Sequence, residues 1–205
     1  MYKKLIIIIF CLFLLVGCKN ENINKLSLNE IIDKTIKTND YKTNINSKGY
    51  KYYLPNGFSL YADNGYLQEI HSKNNVYYLN VDVISYYYKN DLTTEHELDD
   101  YEYYEFANKD KKGYLRITKD NEDFFVELCY NYAIIEVEVE ESNLRYAISR
   151  GITILNSIEY NDLVIEKNIN DGESDMKETI YNIPEPEKKN TKNILEYIEE
   201  DEEED

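Results

Sequence analysis

The chain has 205 residues, with 23 Lys and Arg against 40 Asp and Glu, a formal net charge of -17 and two histidines. So acidic a molecule repels phosphate backbones and anionic headgroups, which argues against direct nucleic-acid binding. The better electrostatic partners are a cationic peptide, a basic protein face or divalent cations, and the length fits one domain plus tails.

The N-terminus reads MYKKLIIIIFCLFLLVGC. Lys3 and Lys4 form a short basic stretch, Leu5 to Val16 is unbroken apolar sequence, and Leu15-Val16-Gly17-Cys18 closes the segment. The apolar run falls short of the roughly 20 residues that a transmembrane helix needs, and its length suits the core of a signal peptide. The segment resembles a bacterial lipoprotein signal peptide with its lipobox. That resemblance implies cleavage before Cys18, a diacylglyceryl group on the Cys18 thiol, and a mature chain tethered on the extracytoplasmic face of the cell membrane. Two acyl chains give stable anchoring where one does not. With Cys11 removed and Cys18 lipidated, Cys129 has no partner for an intramolecular disulfide, so packing must hold the core.

The domain plan is a signal peptide over residues 1–17, a lipidated tether over 18–25, one α+β domain over 26–166 and a disordered acidic tail over 167–205. Ser27-Leu28-Asn29-Glu30 is a capping box that starts a helix, and Leu28, Ile31, Ile32 and Ile36 share one face. From Tyr50 the period becomes two. Strands are expected at Tyr50 to Leu54, Phe58 to Ala62, Tyr66 to Ser72 and Val76 to Tyr87, and turns at Pro55-Asn56-Gly57, Asp63-Asn64-Gly65 and Lys73-Asn74-Asn75. Residues 89–100 read as a loop, Tyr101 to Phe106 as a strand and 109–113 as a turn.

A meander follows: Tyr114 to Lys119, Phe124 to Tyr130 and Ala133 to Glu140. One parity is apolar, with Leu115 and Ile117, then Phe124, Val126 and Leu128, then Ile135, Val137 and Val139. Arg116, Lys119, Glu127, Glu136 and Glu138 are assigned to a wet opposite face. A second helix is expected from Asn143 to Ser157 with Ser142 as N-cap. Its stripe includes Gly151, which costs about 1 kcal/mol against Ala and so implies close approach to the sheet. Asp162 to Glu166 reads as an edge strand. Beyond Lys167 acidic residues dominate and the chain ends in Glu199-Glu200-Asp201-Glu202-Glu203-Glu204-Asp205, a run too poor in apolar residues to offset its ordering entropy.

Motifs for chemistry are sparse. His71 and His96 are the only histidines, and no HExxH, CxxC, G-x-S-x-G or Gly-rich phosphate loop is present, so no catalytic residue, cofactor or metal ligand is assigned. Glu136, Glu138 and Glu140 form a row with a repeat of about 7 Å along one strand. Calcium needs oxygens that converge on a point, which a row does not supply. The row reads as a solvated face with Arg116 and Lys119 as cross-strand partners. Glu97, Asp99 and Asp100 lack the spacing of a calcium loop. The 22 tyrosines suit half-buried strands, and Tyr77, Tyr78, Tyr86, Tyr87 and Tyr88 are candidates for an aromatic ligand surface. Cys129 reads as a small buried hydrophobe.

The fold expected is α+β: one mostly antiparallel sheet with two amphipathic helices on its apolar face. The sequence Tyr52-Tyr53-Leu54-Pro55-Asn56-Gly57-Phe58 together with this element order is similar to the PsbP/Mog1-like scaffold, which implies a binding or assembly module. The functional expectation is a non-enzymatic envelope lipoprotein, with lipid at Cys18 and an envelope protein or cationic peptide as partner. The alternative is a cell-envelope hydrolase or hydrolase accessory using His71 or His96.

Overall fold

A computed structural model describes residues 23–38, 40–73, 75–90 and 100–171. The chain is α+β. Among the described residues, those up to Lys167 form one compact unit. In chain order the elements are a 3-10 turn (Ile23–Lys25), α1 (Leu28–Ile36), β1 (Ile45–Asn46), β2 (Tyr50–Tyr52), β3 (Ser59–Asp63), β4 (Leu67–Ser72), β5 (Asn75–Val81), α2 (Val83–Tyr88), β6 (Glu102–Asn108), β7 (Lys111–Asp120), β8 (Asp123–Tyr130), β9 (Ala133–Glu140), α3 (Glu141–Asn156), β10 (Glu159–Tyr160) and α4 (Asp162–Asn170).

The capping box starts α1 as expected. Ser27 Oγ accepts from the Glu30 N–H, and Glu30 Oε2 accepts from the Ser27 N–H at 2.8 Å, so two otherwise orphaned donors are satisfied. Leu28, Ile31, Ile32 and Ile36 are all buried.

Seven strands form one antiparallel sheet in the order β3-β4-β5-β9-β8-β7-β6. Strict alternation sets the register. Leu115, Leu128, Ile135 and Leu79 face one another in one row, and Ile117, Val126, Val137 and Tyr77 in the next. These rows make the inner face, and all eight residues are fully buried or nearly so. A one-residue slip would expose every one of them, which fixes the pairing. At the β3 edge the ladder shifts between Leu60 and Ala62, a bulge that leaves Tyr61 as the extra residue.

Helices α1 and α3 pack on each other and on strands of this inner face. A Cβ on Gly151 would sit 2.7 Å from Leu128 Cδ1, so the close approach inferred from that glycine is present. Asn156 at the end of α3 donates to the carbonyls of Thr35 and Thr38, which satisfies acceptors at the C-terminus of α1. A three-stranded sheet, β1-β2-β10, joins the same core. From it the Tyr52 hydroxyl donates to Gln68 Oε1 at 2.8 Å and the Tyr50 hydroxyl to the Gly65 carbonyl at 2.7 Å.

Four local expectations are corrected. The strand expected to Tyr87 ends at Val81. Asp82 Oδ1 accepts from the Ser85 N–H and starts α2, so an N-cap outweighs the β propensity of Val, Ile and Tyr. The segment from Asp162 is helical rather than an edge strand, and the edge strand of the small sheet is Glu159–Tyr160. Helix α3 begins at Glu141, so Ser142 lies inside its first turn and the N-cap Glu140 makes no side-chain capping bond. Lys119 shares the parity of Leu115 and Ile117, and its Nζ lies over the Phe124 ring at 5.2 Å, not on the wet face. The expected disordered tail falls outside the described residues, apart from the end of α4, which runs to Asn170.

Candidate functional site

The outer face of the large sheet carries the polar chemistry. One row crosses every strand of it: Tyr103, Arg116, Glu127, Glu136, Tyr78, Glu69 and Ala62, each opposite the next. Antiparallel pairing brings facing side chains to about 5 Å at Cβ, so neighbours in this row interact directly.

The β7–β8 end of the row is internally satisfied. Arg116 Nη2 lies 2.7 Å from Glu127 Oε2, and the Tyr114 hydroxyl donates to Glu127 Oε1 at 2.6 Å. Glu127 is 8% exposed, so one arginine and one phenol hold a carboxylate that has left water. Burial, then the bond to Glu127, pushes the Tyr114 hydroxyl well above the usual phenol range. Tyr103 stacks on Tyr114 with ring centroids 6.0 Å apart.

Across β9 and β5 the balance changes. Glu136 faces Glu127 on one side and Tyr78 on the other. Arg116 is spent on Glu127, two strands away, and Lys119 lies on the opposite face. Lys119 therefore does not partner the glutamate row as expected, and Arg116 acts on Glu136 only through space, as a charge that lowers its pKa. Among the described residues no hydrogen bond or ion pair reaches the Glu136 carboxylate. Burial, then the nearby Glu127 charge, raises its pKa to about 7. Glu138 and Glu140 continue the row on β9 and are exposed. Beside them Tyr78 is 38% exposed and, toward the β3 edge, Tyr61 is 71% exposed.

His71 is half-buried on this face. Its Nε2 lies 2.5 Å from Glu69 Oε1, and Tyr61 stacks on its ring at 4.4 Å. Ser59 stands opposite His71 in the ladder, but no hydrogen bond joins its Oγ to the ring. His96, Glu97 and Asp99 lie outside the described residues, as does Cys18.

The five candidate tyrosines do not make one surface. Tyr77 is buried on the inner face, Tyr78 is on the outer face, and Tyr86, Tyr87 and Tyr88 belong to α2. Tyr86 stacks on Tyr160 at 3.7 Å and carries Lys89 Nζ 3.6 Å above its ring. Its hydroxyl donates to Asp162 Oδ1, so it locks α2 to α4. Cys129 is buried, and burial pushes its thiol up to about 12, which makes it inert at neutral pH.

A depression of about 780 Å³, open to solvent, is lined by Asn24, Glu122, Asp123, Glu140, Glu141, Ser142 and Arg145. It contains neither a thiol nor a histidine. Among the described residues no group of three or more His, Cys, Asp or Glu is placed to hold a metal ion, and no helix is long and apolar enough to cross a membrane.

No protein-family model matches the chain, and no curated protein matches it in sequence.

Proposed function

We propose that the chain is a membrane-anchored extracytoplasmic lipoprotein whose α+β domain is a non-enzymatic binding or assembly module of the cell envelope. The anchor rests on Leu15-Val16-Gly17-Cys18 after a short apolar run with two preceding lysines. The single observation that carries the binding role is the outer sheet face. There a half-buried carboxylate, Glu136, makes no hydrogen bond or ion pair with the described residues and stands opposite the exposed ring of Tyr78. Carboxylates left without a charge partner at a partly dry surface are a cost to folding that a bound cation offsets.

The anchor has a direct test. Cys18→Ala leaves the precursor unprocessed and without lipid, checked by intact mass of the membrane fraction. A lipid mass shift that survives in the variant removes the lipobox reading. Crosslinking on intact cells with mass spectrometry of the captured species tests the binding role.

One observation favours the second reading, an envelope hydrolase or accessory: the short His71–Glu69 contact, which orients an imidazole as a general base requires. Turnover of cell-wall fragments by the purified chain, abolished in His71→Ala, replaces the binding reading. The absence of a bond to Ser59 and the Tyr61 ring laid over His71 weigh against that outcome.

A further inference from the structure

We propose that the outer face of the large sheet, along β9 and β5, docks an extended polypeptide segment carrying Lys or Arg at alternate positions. This rests on the binding-module reading and names its partner.

Spacing is the first reason. Glu136, Glu138 and Glu140 project from one face of β9 at every second residue, a repeat of about 7 Å. Alternate side chains of any extended segment have the same repeat, so a segment lying along β9 brings one cation to each carboxylate without strain. A compact divalent ion cannot use such a row, because its oxygens must converge.

Charge is the second. The groups facing Glu136 are Glu127 from β8, with Arg116 behind it on β7, and Tyr78 from β5, with Glu69 behind it on β4. Arg116 is bound to Glu127 and His71 to Glu69. Among the described residues no cation bonds to Glu136, Glu138 or Glu140: Arg116 acts on Glu136 only as a charge held across Glu127, and Arg145 shares an open depression with Glu140 without an ion pair to it. The acidic residues 199–205 are repelled from this face by sign and so cannot act as its occupant.

The rings are the third. Tyr78, opposite Glu136, is among the few large side chains left exposed among the described residues, and Phe125 lies on the same face opposite Glu138. Aromatic faces beside carboxylates accept both the charged head of Lys or Arg and its apolar stem. An anionic lipid surface, the other extended partner available to an envelope protein, is repelled by the same row.

The test uses the full-length chain in neutral detergent at low ionic strength. It is titrated with a fluorescent synthetic peptide of about ten residues in which Lys alternates with Thr. Expected are saturable binding and a loss of about tenfold in affinity in Glu136→Gln/Glu138→Gln, as two charge contacts and their coupling imply. Glu138→Gln alone, at a fully wet position that cannot disturb folding, weakens binding about threefold. Neutralising every acid in 199–205 changes it less than about twofold, and a peptide with the same Lys content gathered at one end binds more weakly. No saturable binding overturns the inference, as does a loss that follows the tail variant, or equal binding of the two peptides.

A photo-crosslinker placed at Tyr78 or at Tyr88 on intact cells separates the two levels. Capture of a specific partner from position 88 alone leaves the module reading standing and refutes this face. Capture from neither position, with no peptide binding, removes both.

Discussion

The two faces of the large sheet come from the same strands and behave as different materials. On β8, Phe124, Val126 and Leu128 point inward and are essentially dry, whereas Phe125, Glu127 and Cys129 point outward. The inner set packs on helices and tolerates no change of volume. The outer set is a graded surface, running from a satisfied Arg116–Glu127–Tyr114 group at one end to unpaired glutamates and open tyrosines at the other. Periodicity alone separates the faces. What makes one of them a candidate site is the lateral order of the strands, which decides where Arg116 ends up.

The largest expected effect that sharpens this contrast is at Gly113. A Cβ there would fall against the Cys129 carbonyl and the Tyr130 backbone, so Gly113→Ala forces the β7–β8 ladder apart. A loss of about 3 kcal/mol is expected, read from denaturant midpoints. Next is Leu128→Ala, which empties space beneath Gly151 and costs about 2–4 kcal/mol in the same measurement. A loss under about 1 kcal/mol there shows that α3 collapses onto the sheet, and the inner face is then softer than its packing implies.

The outer face gives the opposite sign. Glu136 has its carboxyl raised from 4.5 to about 7, so the folded state holds its proton more tightly than the unfolded chain. Stability from this group is present below about pH 4.5, falls as pH rises through 7, and stays lower above. Glu136→Gln removes that fall. The full difference is about 3 kcal/mol, and partial exposure reduces it to the order of 1–2 kcal/mol. The variant is expected to match the parent at pH 4.5 and exceed it at pH 8, read from thermal melts across pH. Equal stability at pH 8 shows that Glu136 already has a cation or water to relieve it. The smallest effect is at Glu138, exposed on the same strand, where Glu138→Gln is expected within about 0.5 kcal/mol at any pH.

Local rules carried much of this fold. The α1 capping box, the inward parity of Leu115 to Val139 and the meaning of Gly151 were all readable, because each depends on neighbours in sequence or on a period of two. The failures have equally local causes. The run Val83 to Tyr88 has the composition of a strand, and the one signal against it was Asp82 with Ser85 three residues on. Leu163, Val164 and Ile165 read as a short strand, while Asn161 Oδ1 accepts from the Val164 N–H at the start of a helix. Lys119 was placed on the wrong face by its charge, although its odd number set it with Ile117. The site itself was only half legible. The glutamate row was visible, but its lack of a bonded cation was not, because the pairing of β5 with β9 joins segments more than fifty residues apart.

The bulge at Tyr61 bears on how copies of this molecule meet one another at high concentration. An open strand at the end of a sheet is a template for another strand, and antiparallel ladders grow readily from one molecule to the next. Here that strand is five residues long, its register breaks between Leu60 and Ala62, and it closes on the acid Asp63. A neighbour approaching edge-on meets a kink and a like charge in place of a straight row of donors and acceptors. At the β3 edge the kink and the charge disfavour growth of a ladder from one molecule to the next.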